Sequence, residues 1–90
     1  MKDTKKYAKI FKALGDENRL RLINLICDGI NCPCKMLKSV SIEQSTLSHH
    51  MKILCDADII LVEKSGTSVH YFINPEIRNQ LDVFMEKVVS

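Results

Sequence analysis

The sequence contains no long hydrophobic run, and this absence excludes a membrane-spanning helix. No apolar stretch in the sequence approaches the roughly 18 residues that a span requires. The opening residues MKDTKKYAK also lack the hydrophobic segment of a signal peptide. We therefore expect a cytoplasmic protein that has no membrane partner.

The sequence also lacks the residue patterns that catalysis usually requires. It contains no paired nucleophile and base, no glycine-rich phosphate loop and no carboxylate dyad, so we expect that the protein is not an enzyme. Repeats, low-complexity tracts and linkers are absent as well, which predicts a single domain over residues 1–90. A chain of this length buries about 60–65% of its unfolded surface, so we expect a disulfide, a metal ion or a second subunit to add stability.

A large excess of charge of one sign is missing too. The net charge of +2 is weak evidence for a nucleic-acid partner. Residues 1–21 contain seven basic and three acidic residues, a net charge of +4, whereas residues 35–70 contain four of each. Evidence for DNA binding must therefore come from a particular site.

Apolar residues at helical spacing predict a mainly helical chain. The first predicted helix covers residues 4–14, and the second begins at the N-cap residue Asp16 and ends at Gly29. Pro33 suits the first position of a short third helix. The fourth helix covers residues 44–57.

Two β-rich runs and a last helix follow. The runs IILVEK and VHYFI are separated by SGTS, in which Gly66 supplies the positive φ of a hairpin turn. Asn74 and Pro75 open the last helix. The resulting order, ααα–α–ββ–α, has two short helices joined by a three-residue turn and followed by a hairpin. This order predicts a winged helix-turn-helix, mainly α with a small β-hairpin.

The predicted fourth helix has an apolar side and a polar side. Leu47, Met51 and Leu54 are spaced four and three residues apart, which places them on the inward side. Short polar side chains on the other side are typical of a recognition helix in the major groove. A solvated surface is the simpler interpretation of such a side, but the short helix before it and the hairpin after it favour double-stranded DNA as the partner. The predicted contacts are Gln44, Ser45, Thr46, Ser48, His49 and Lys52, with Lys64 and Thr67 on the wing at 64–68.

Three segments resemble the ArsR/SmtB family of winged-helix repressors: FKALGDENRLRLINLI, CPCKML and EQSTLSHHMKILCDADIILVEKSGTSVHYFI. The similarity covers residues 7–74. It implies a homodimer, formed through the first and last helices, that binds a palindromic operator and releases it when an effector arrives. It also implies DNA contacts at Gln44, Ser45, Ser48 and His49, with His50 and the wing in secondary roles.

Three positions depart from the pattern of that family. Asp58 stands where a glycine usually ends the fourth helix, although aspartate tolerates left-handed backbone better than most residues. Glu43 takes the N-cap place usually held by serine, and Ser41 replaces a turn glycine. The Glu43 carboxylate also repels phosphate. Together with the zero net charge of residues 35–70, these departures indicate a modest affinity for DNA unless the lysine-rich first helix, Arg19 and Arg21 contribute.

Four cysteines of a cytosolic chain are expected to be reduced, which leaves them available as thiolate ligands or as oxidation-sensitive groups. Cys32, the expected N-cap residue, and Cys34 flank Pro33, where unpaired backbone N–H groups favour thiolates. Two thiolates can bind one soft ion, such as zinc, cadmium, lead, arsenite or antimonite. The resemblance sharpens this prediction, because the arsenic and cadmium sensors of the family carry Cys-x-Cys at this place.

The third ligand remains open at this point. The family's arsenic sensors have a third cysteine where Leu37 stands here, and Cys27 or Cys55 could replace it. Cys27 could instead pack as a small apolar residue. Oxidation of Cys32 and Cys34 is an alternative signal, although a disulfide between them would be strained. No cofactor is required in either case. The last helix lacks histidine, which excludes the family's other metal site, and His70 is expected to be an exposed wing residue.

Dimerisation is expected to bury apolar residues of the first and last helices. They are Ile10, Phe11, Leu14, Leu81, Phe84, Met85 and Val88. The predicted protein is therefore a homodimeric repressor that thiol chemistry releases from its operator. Two alternatives remain open: a winged-helix repressor without a small effector, controlled by a protein partner or by its own level, and a protein-interaction or metal-buffering module.

Overall fold

Seven elements follow one another in the computed structural model, which describes residues 3–89. They are α1 Thr4–Leu14, α2 Glu17–Cys27, α3 Pro33–Ser39, α4 Gln44–Asp56, β1 Ile60–Ser65, β2 Ser68–Ile73 and α5 Glu76–Val89. This order confirms the predicted winged helix-turn-helix, with its mainly helical body and one antiparallel hairpin. Met1, Lys2 and Ser90, at the ends of the predicted domain, lie outside the described residues.

The helix ends follow from capping residues that the sequence indicated. Oδ1 of Asp16 accepts a hydrogen bond from the backbone N–H of Arg19 at 3.1 Å, and this bond holds the pKa of the Asp16 carboxyl below its ordinary value. Cys32 is the N-cap residue of α3, with the extended backbone that a following proline favours. Gly29 has a left-handed φ of 87°, two residues after α2 ends.

The core lies where α1, α2 and α4 pack on one another, with α3 and the start of β1 at its edges. Its most completely buried side chains are Ile10, Leu22, Met36, Leu47, Met51, Leu54 and Ile60. Burial of each large apolar side chain stabilises the fold by about 1.5–3 kcal/mol. Three of these residues, on α4, confirm the inward side predicted for that helix, and their burial turns the opposite side of α4 outward.

The turn after α4 has a backbone that few residue types adopt. Asp58 has a φ of 58°, as its place at a usual glycine position suggested. The Asp58 N–H donates to the Cys55 carbonyl at 3.0 Å, and the Ile59 N–H donates to the Leu54 carbonyl at 3.1 Å. The Asn74 amide donates to the Asp58 carbonyl at 2.8 Å. These bonds hold the start of β1 at a fixed direction from the end of α4.

The hairpin forms the predicted wing. It pairs Ile60 with Ile73 at its base and Ser65 with Ser68 at its tip, where Gly66 has a left-handed φ of 60°.

The wing is attached to the helical body through β2. The Tyr71 N–H donates to the Asn31 carbonyl at 2.9 Å, and the Asn31 amide donates to the Tyr71 carbonyl at 3.1 Å. Asn31 lies between α2 and α3, so this reciprocal pair sets the wing beside the start of α3.

α5 returns to α1 at the far end of the chain. The Phe84 ring lies 4.9 Å, between centroids, from both Tyr7 and Phe11. The structure corrects one predicted dimer contact, because Ile10 is 1% exposed and belongs to the core of the protomer. Apolar side chains on these two helices are nevertheless open to solvent: Phe11, Val83, Met85, Val88 and Val89. No helix within residues 3–89 is both long and apolar enough to cross a membrane.

Candidate nucleic-acid interface

The outward side of α4 is polar and open. Its exposed side chains are Gln44, Ser45, Ser48, His49 and Lys52, and Thr46 is half-buried. We call these six residues the recognition surface. They lie opposite the buried residues of α4, so a rigid helix backed by the core presents them. Hydroxyl, amide and imidazole groups at these positions can donate and accept hydrogen bonds, as reading of base edges requires.

The first turn of α4 carries no side-chain cap. Glu43 occupies the N-cap position, but its side chain makes no capping hydrogen bond, and its carbonyl accepts the Leu47 N–H at 3.0 Å. The exposed carboxylate therefore leaves the first backbone N–H groups of this 13-residue helix without a capping side chain. These N–H groups favour binding of a phosphate, whereas the negative charge of the Glu43 carboxylate beside them opposes it.

The wing borders the recognition surface. Lys64 and Thr67 are exposed at and near its tip. A shallow cleft of about 170 Å³ lies between α4 and β1, and Ser48, Lys52 and Lys64 are among its lining residues. Helix and wing therefore share one concave surface, on which two lysines lie beside the polar side chains of α4.

His50 differs from the sequence-based expectation. It is 8% exposed, so it is turned into the protomer and is not available for the secondary DNA contact predicted for it. Its Nδ1 lies 3.2 Å from Nη1 of Arg19. The helical spacing of His50 indicates its burial. Position 50 is three residues after Leu47 and four before Leu54, which places it on the inward side of α4.

Arg19 is likewise turned inward. Its guanidinium bonds to carbonyl groups at the end of α1, which removes it from the set of cations expected to strengthen DNA binding. Arg21 is exposed and pairs with Glu17 at 2.7 Å, four residues away on α2.

The cysteine pair lines a second groove, beside β2 and the wing tip. This groove, of about 590 Å³, is bounded by Cys32, Pro33, Cys34, Leu37, Gln44, Thr67, Ser68, Val69 and His70. Both thiols are free, Cys34 is exposed and Cys32 is half-buried. The groove therefore joins the start of α3, the first residue of the recognition surface and the wing. His70 is exposed on the wing, as the sequence predicts, and the attachment of β2 at Asn31 explains why it also borders this groove.

The other two cysteines lie elsewhere. Cys27 is exposed at the end of α2 and does not pack as a small apolar residue. Cys55 is half-buried, and burial raises the pKa of its thiol. Within residues 3–89, no three histidine, cysteine or acidic side chains are close enough to share a metal ion. Neither Cys27 nor Cys55 therefore completes a three-ligand site with the pair inside one protomer.

Residues 16–62 match the model of a protein family described as bacterial regulatory protein, arsR family. The chain is 41% identical over 78 residues to the arsenical resistance operon repressor of Bacillus subtilis, covering 86% of this chain and 74% of that protein. It is 32% identical over 93 aligned positions to the cadmium resistance transcriptional regulatory protein CadC of Listeria innocua, covering 98% of this chain and 78% of that protein.

A solved structure with a similar fold is a winged helix-turn-helix domain from Mycobacterium bovis. It is described as homodimeric and DNA-binding, and as part of a possible ArsR-family transcriptional regulator. The TM-score is 0.76 at 21% identity, over 93% of this chain and 78% of that one. At this identity the likeness establishes the fold alone.

Proposed function

Since the chain belongs to the arsR family of bacterial regulatory proteins, we propose that it is a homodimeric repressor that binds a palindromic operator through the recognition surface and the wing. The family membership confirms the resemblance found in the sequence, and the relatives are transcriptional regulators, not enzymes. The observation that carries the proposal is the exposed polar side of α4, which borders the wing in one cleft.

Each residue of the recognition surface has a role that its chemistry suggests. Gln44 can pair with an adenine through two hydrogen bonds. Ser45, Thr46 and Ser48 can form hydrogen bonds to phosphates or to base edges. His49, one turn after Ser45, can contact a base or a phosphate.

Two lysines are proposed to contact the DNA backbone. Lys52 and Lys64 border the cleft between helix and wing and would contact phosphates, and Thr67 lies at the wing tip. Such contacts fix the position of a protein on the duplex without reading its sequence. The exposed Glu43 beside the first turn of α4 limits the affinity.

Dimerisation is proposed through α1 and α5. Phe11 is 39% exposed, Met85 is 47% exposed and Val88 is 59% exposed, which is unfavourable for apolar side chains of an isolated protomer. Leu14, Leu81 and Phe84 are half-buried beside them. If two protomers associate about a twofold axis at this surface, each covers these residues of the other, and the dimer presents two recognition surfaces to the two halves of a palindrome.

Release from the operator is proposed to begin at Cys32 and Cys34. Soft thiolates select ions such as cadmium, lead, zinc and arsenite, and the chain's relatives include an arsenical and a cadmium resistance regulator. The groove that holds both thiols also holds Gln44 and Thr67, so an ion bound there would act directly beside two proposed DNA contacts. Each protomer supplies two thiols to this groove, and oxidation of the same pair is the alternative signal.

Operator binding is tested with the double variant Ser48→Ala/His49→Ala. We expect it to lose binding in a gel shift while circular dichroism remains native, because both side chains are exposed. Asn79→Ala, an exposed polar position on α5, is the matched control and should bind as the wild type does. Retained binding by the double variant would reject α4 as the reading helix.

The effector is tested by titration with cadmium, followed by sulfur-to-metal charge-transfer absorbance. We expect the band in the wild type and in Cys27→Ser, and its loss in Cys32→Ser/Cys34→Ser. Cadmium or arsenite should also release DNA from the wild type but not from the double variant. Absence of the band from the wild type would favour a repressor controlled by a protein partner or by its own level.

A further inference from the structure

The Arg19 side chain joins the end of α1 to α2. Its Nε donates to the Ala13 carbonyl at 2.7 Å, and its Nη2 donates to the Lys12 carbonyl at 3.2 Å. These carbonyls lie in the last turn of α1, where backbone acceptors lack partners within the helix. A cation is also favoured at this end of the helix dipole. The guanidinium of α2 therefore caps the helix that precedes it.

The same guanidinium reaches α4. Its Nη1 lies 3.2 Å from Nδ1 of His50. Since a guanidinium can only donate, Nδ1 is the acceptor of this bond. His50 is almost fully buried, so without Arg19 its ring nitrogen would lose its partner away from solvent. One side chain thus serves two carbonyl groups of α1 and one imidazole of α4.

The backbone of Arg19 is itself fixed. Its N–H is the group that donates to the Asp16 carboxylate at the start of α2. The guanidinium consequently extends from a capped helix end, so it acts as a rigid link between α1 and α4.

We propose that Arg19 and His50 are positioning residues that set the orientation of the recognition surface relative to α1. This inference rests on the proposed function. His50 directly follows Ser48 and His49, which belong to the recognition surface, whereas α1 carries Phe11 of the proposed dimer surface. The pair therefore transmits the arrangement of the dimer to the helix that reads DNA, although neither side chain touches the DNA.

Three variants separate this role from general packing. Arg19→Lys keeps the charge but loses the fork of donors, and His50→Leu keeps the volume but removes the acceptor. His50→Asn restores an acceptor oxygen near the place of Nδ1 and is the rescue variant. Arg21→Lys is the control, because Arg21 lies on the same helix, pairs at the surface with Glu17 and keeps its positive charge as lysine.

Two measurements are made on each variant. Hydrogen–deuterium exchange is followed for residues 44–56. Affinity is measured by fluorescence anisotropy with a labelled duplex that the wild type selects from a randomised library. We expect Arg19→Lys and His50→Leu to exchange faster in α4 and to bind about tenfold more weakly, with His50→Asn and Arg21→Lys close to the wild type. The double variant Arg19→Lys/His50→Leu should be no weaker than the weaker of the two single variants, because both remove the bond between Arg19 and His50.

The inference is overturned if both single variants bind within about twofold of the wild type, or if His50→Asn is as weak as His50→Leu. If the wild type selects no duplex from the library, that result alone refutes the proposed function. The exchange data then decide the inference separately, and unchanged exchange in Arg19→Lys and His50→Leu rejects it.

Discussion

Replacement of Lys52 by alanine should change how strongly DNA binding depends on salt. Lys52 and Lys64 are the lysines that border the cleft between α4 and β1. Two such cations per protomer give four in the proposed dimer, and each proposed phosphate contact contributes about −0.9 to the slope of log affinity against log salt. The wild-type slope should therefore be about −3.6, and affinity should fall about 150-fold from about 50 to about 200 mM salt.

Lys52→Ala removes two of the four contacts. The slope should then fall to about −1.8, and the same change in salt should weaken binding only about 12-fold. Anisotropy titrations at four or more salt concentrations measure the slope. Arg78→Gln is the control, because Arg78 is an exposed cation on α5 whose Nε lies 3.8 Å from Oδ2 of Asp82 and which does not line the cleft. A slope for Lys52→Ala equal to that of the wild type would refute the phosphate contact at this position.

Three further predictions concern the fold and its assembly. Asp58→Gly should raise the free energy of unfolding by up to about 1 kcal/mol in urea titrations, because glycine adopts the left-handed backbone without steric cost. Glu86→Gly, at an exposed position inside α5, should lower it by about 0.5–1 kcal/mol. Because the pKa of Asp16 is lowered in the folded protein, its carboxylate stabilises the wild type above the ordinary aspartate pKa of about 3.9, and this stabilisation disappears as the pH falls through the lowered pKa. Asp16→Asn should lack this pH-dependent stabilisation. Equal acid unfolding profiles of the variant and the wild type would contradict the cap. Val88→Glu should shift sedimentation toward the monomer, whereas Leu20→Glu, another exposed apolar position, should not.

Much of the fold could be predicted because local signals agree with it. Asp16, Pro33 and Gly66 each stand where a helix start or a tight turn needs that residue type, and the structure has the predicted element there. The inward side of α4 was predictable for the same reason, since apolar spacing alone decides it.

The positions of individual side chains between helices could not be predicted in this way. His50 lies on the inward side of α4, but its burial depends on a hydrogen bond from Arg19, 31 residues away. Ile10 shares an apolar stripe with Leu14, yet packing of α2 and α4 on α1 buries only the first of them completely. His70 comes to the groove of Cys32 and Cys34 because Tyr71 pairs with Asn31, 40 residues earlier. These contacts are long-range, and helical periodicity does not contain them.

The central claim is that the polar side of α4 enters the DNA. The most direct test is to titrate the isotopically labelled protein with its selected duplex and to follow the backbone amide resonances. The largest changes should fall on residues 44–52 and on the wing at 64–68, with the exposed end of α5 almost unchanged. Changes concentrated on α5, with the amides of Ser45, Ser48 and His49 unaffected, would contradict the account.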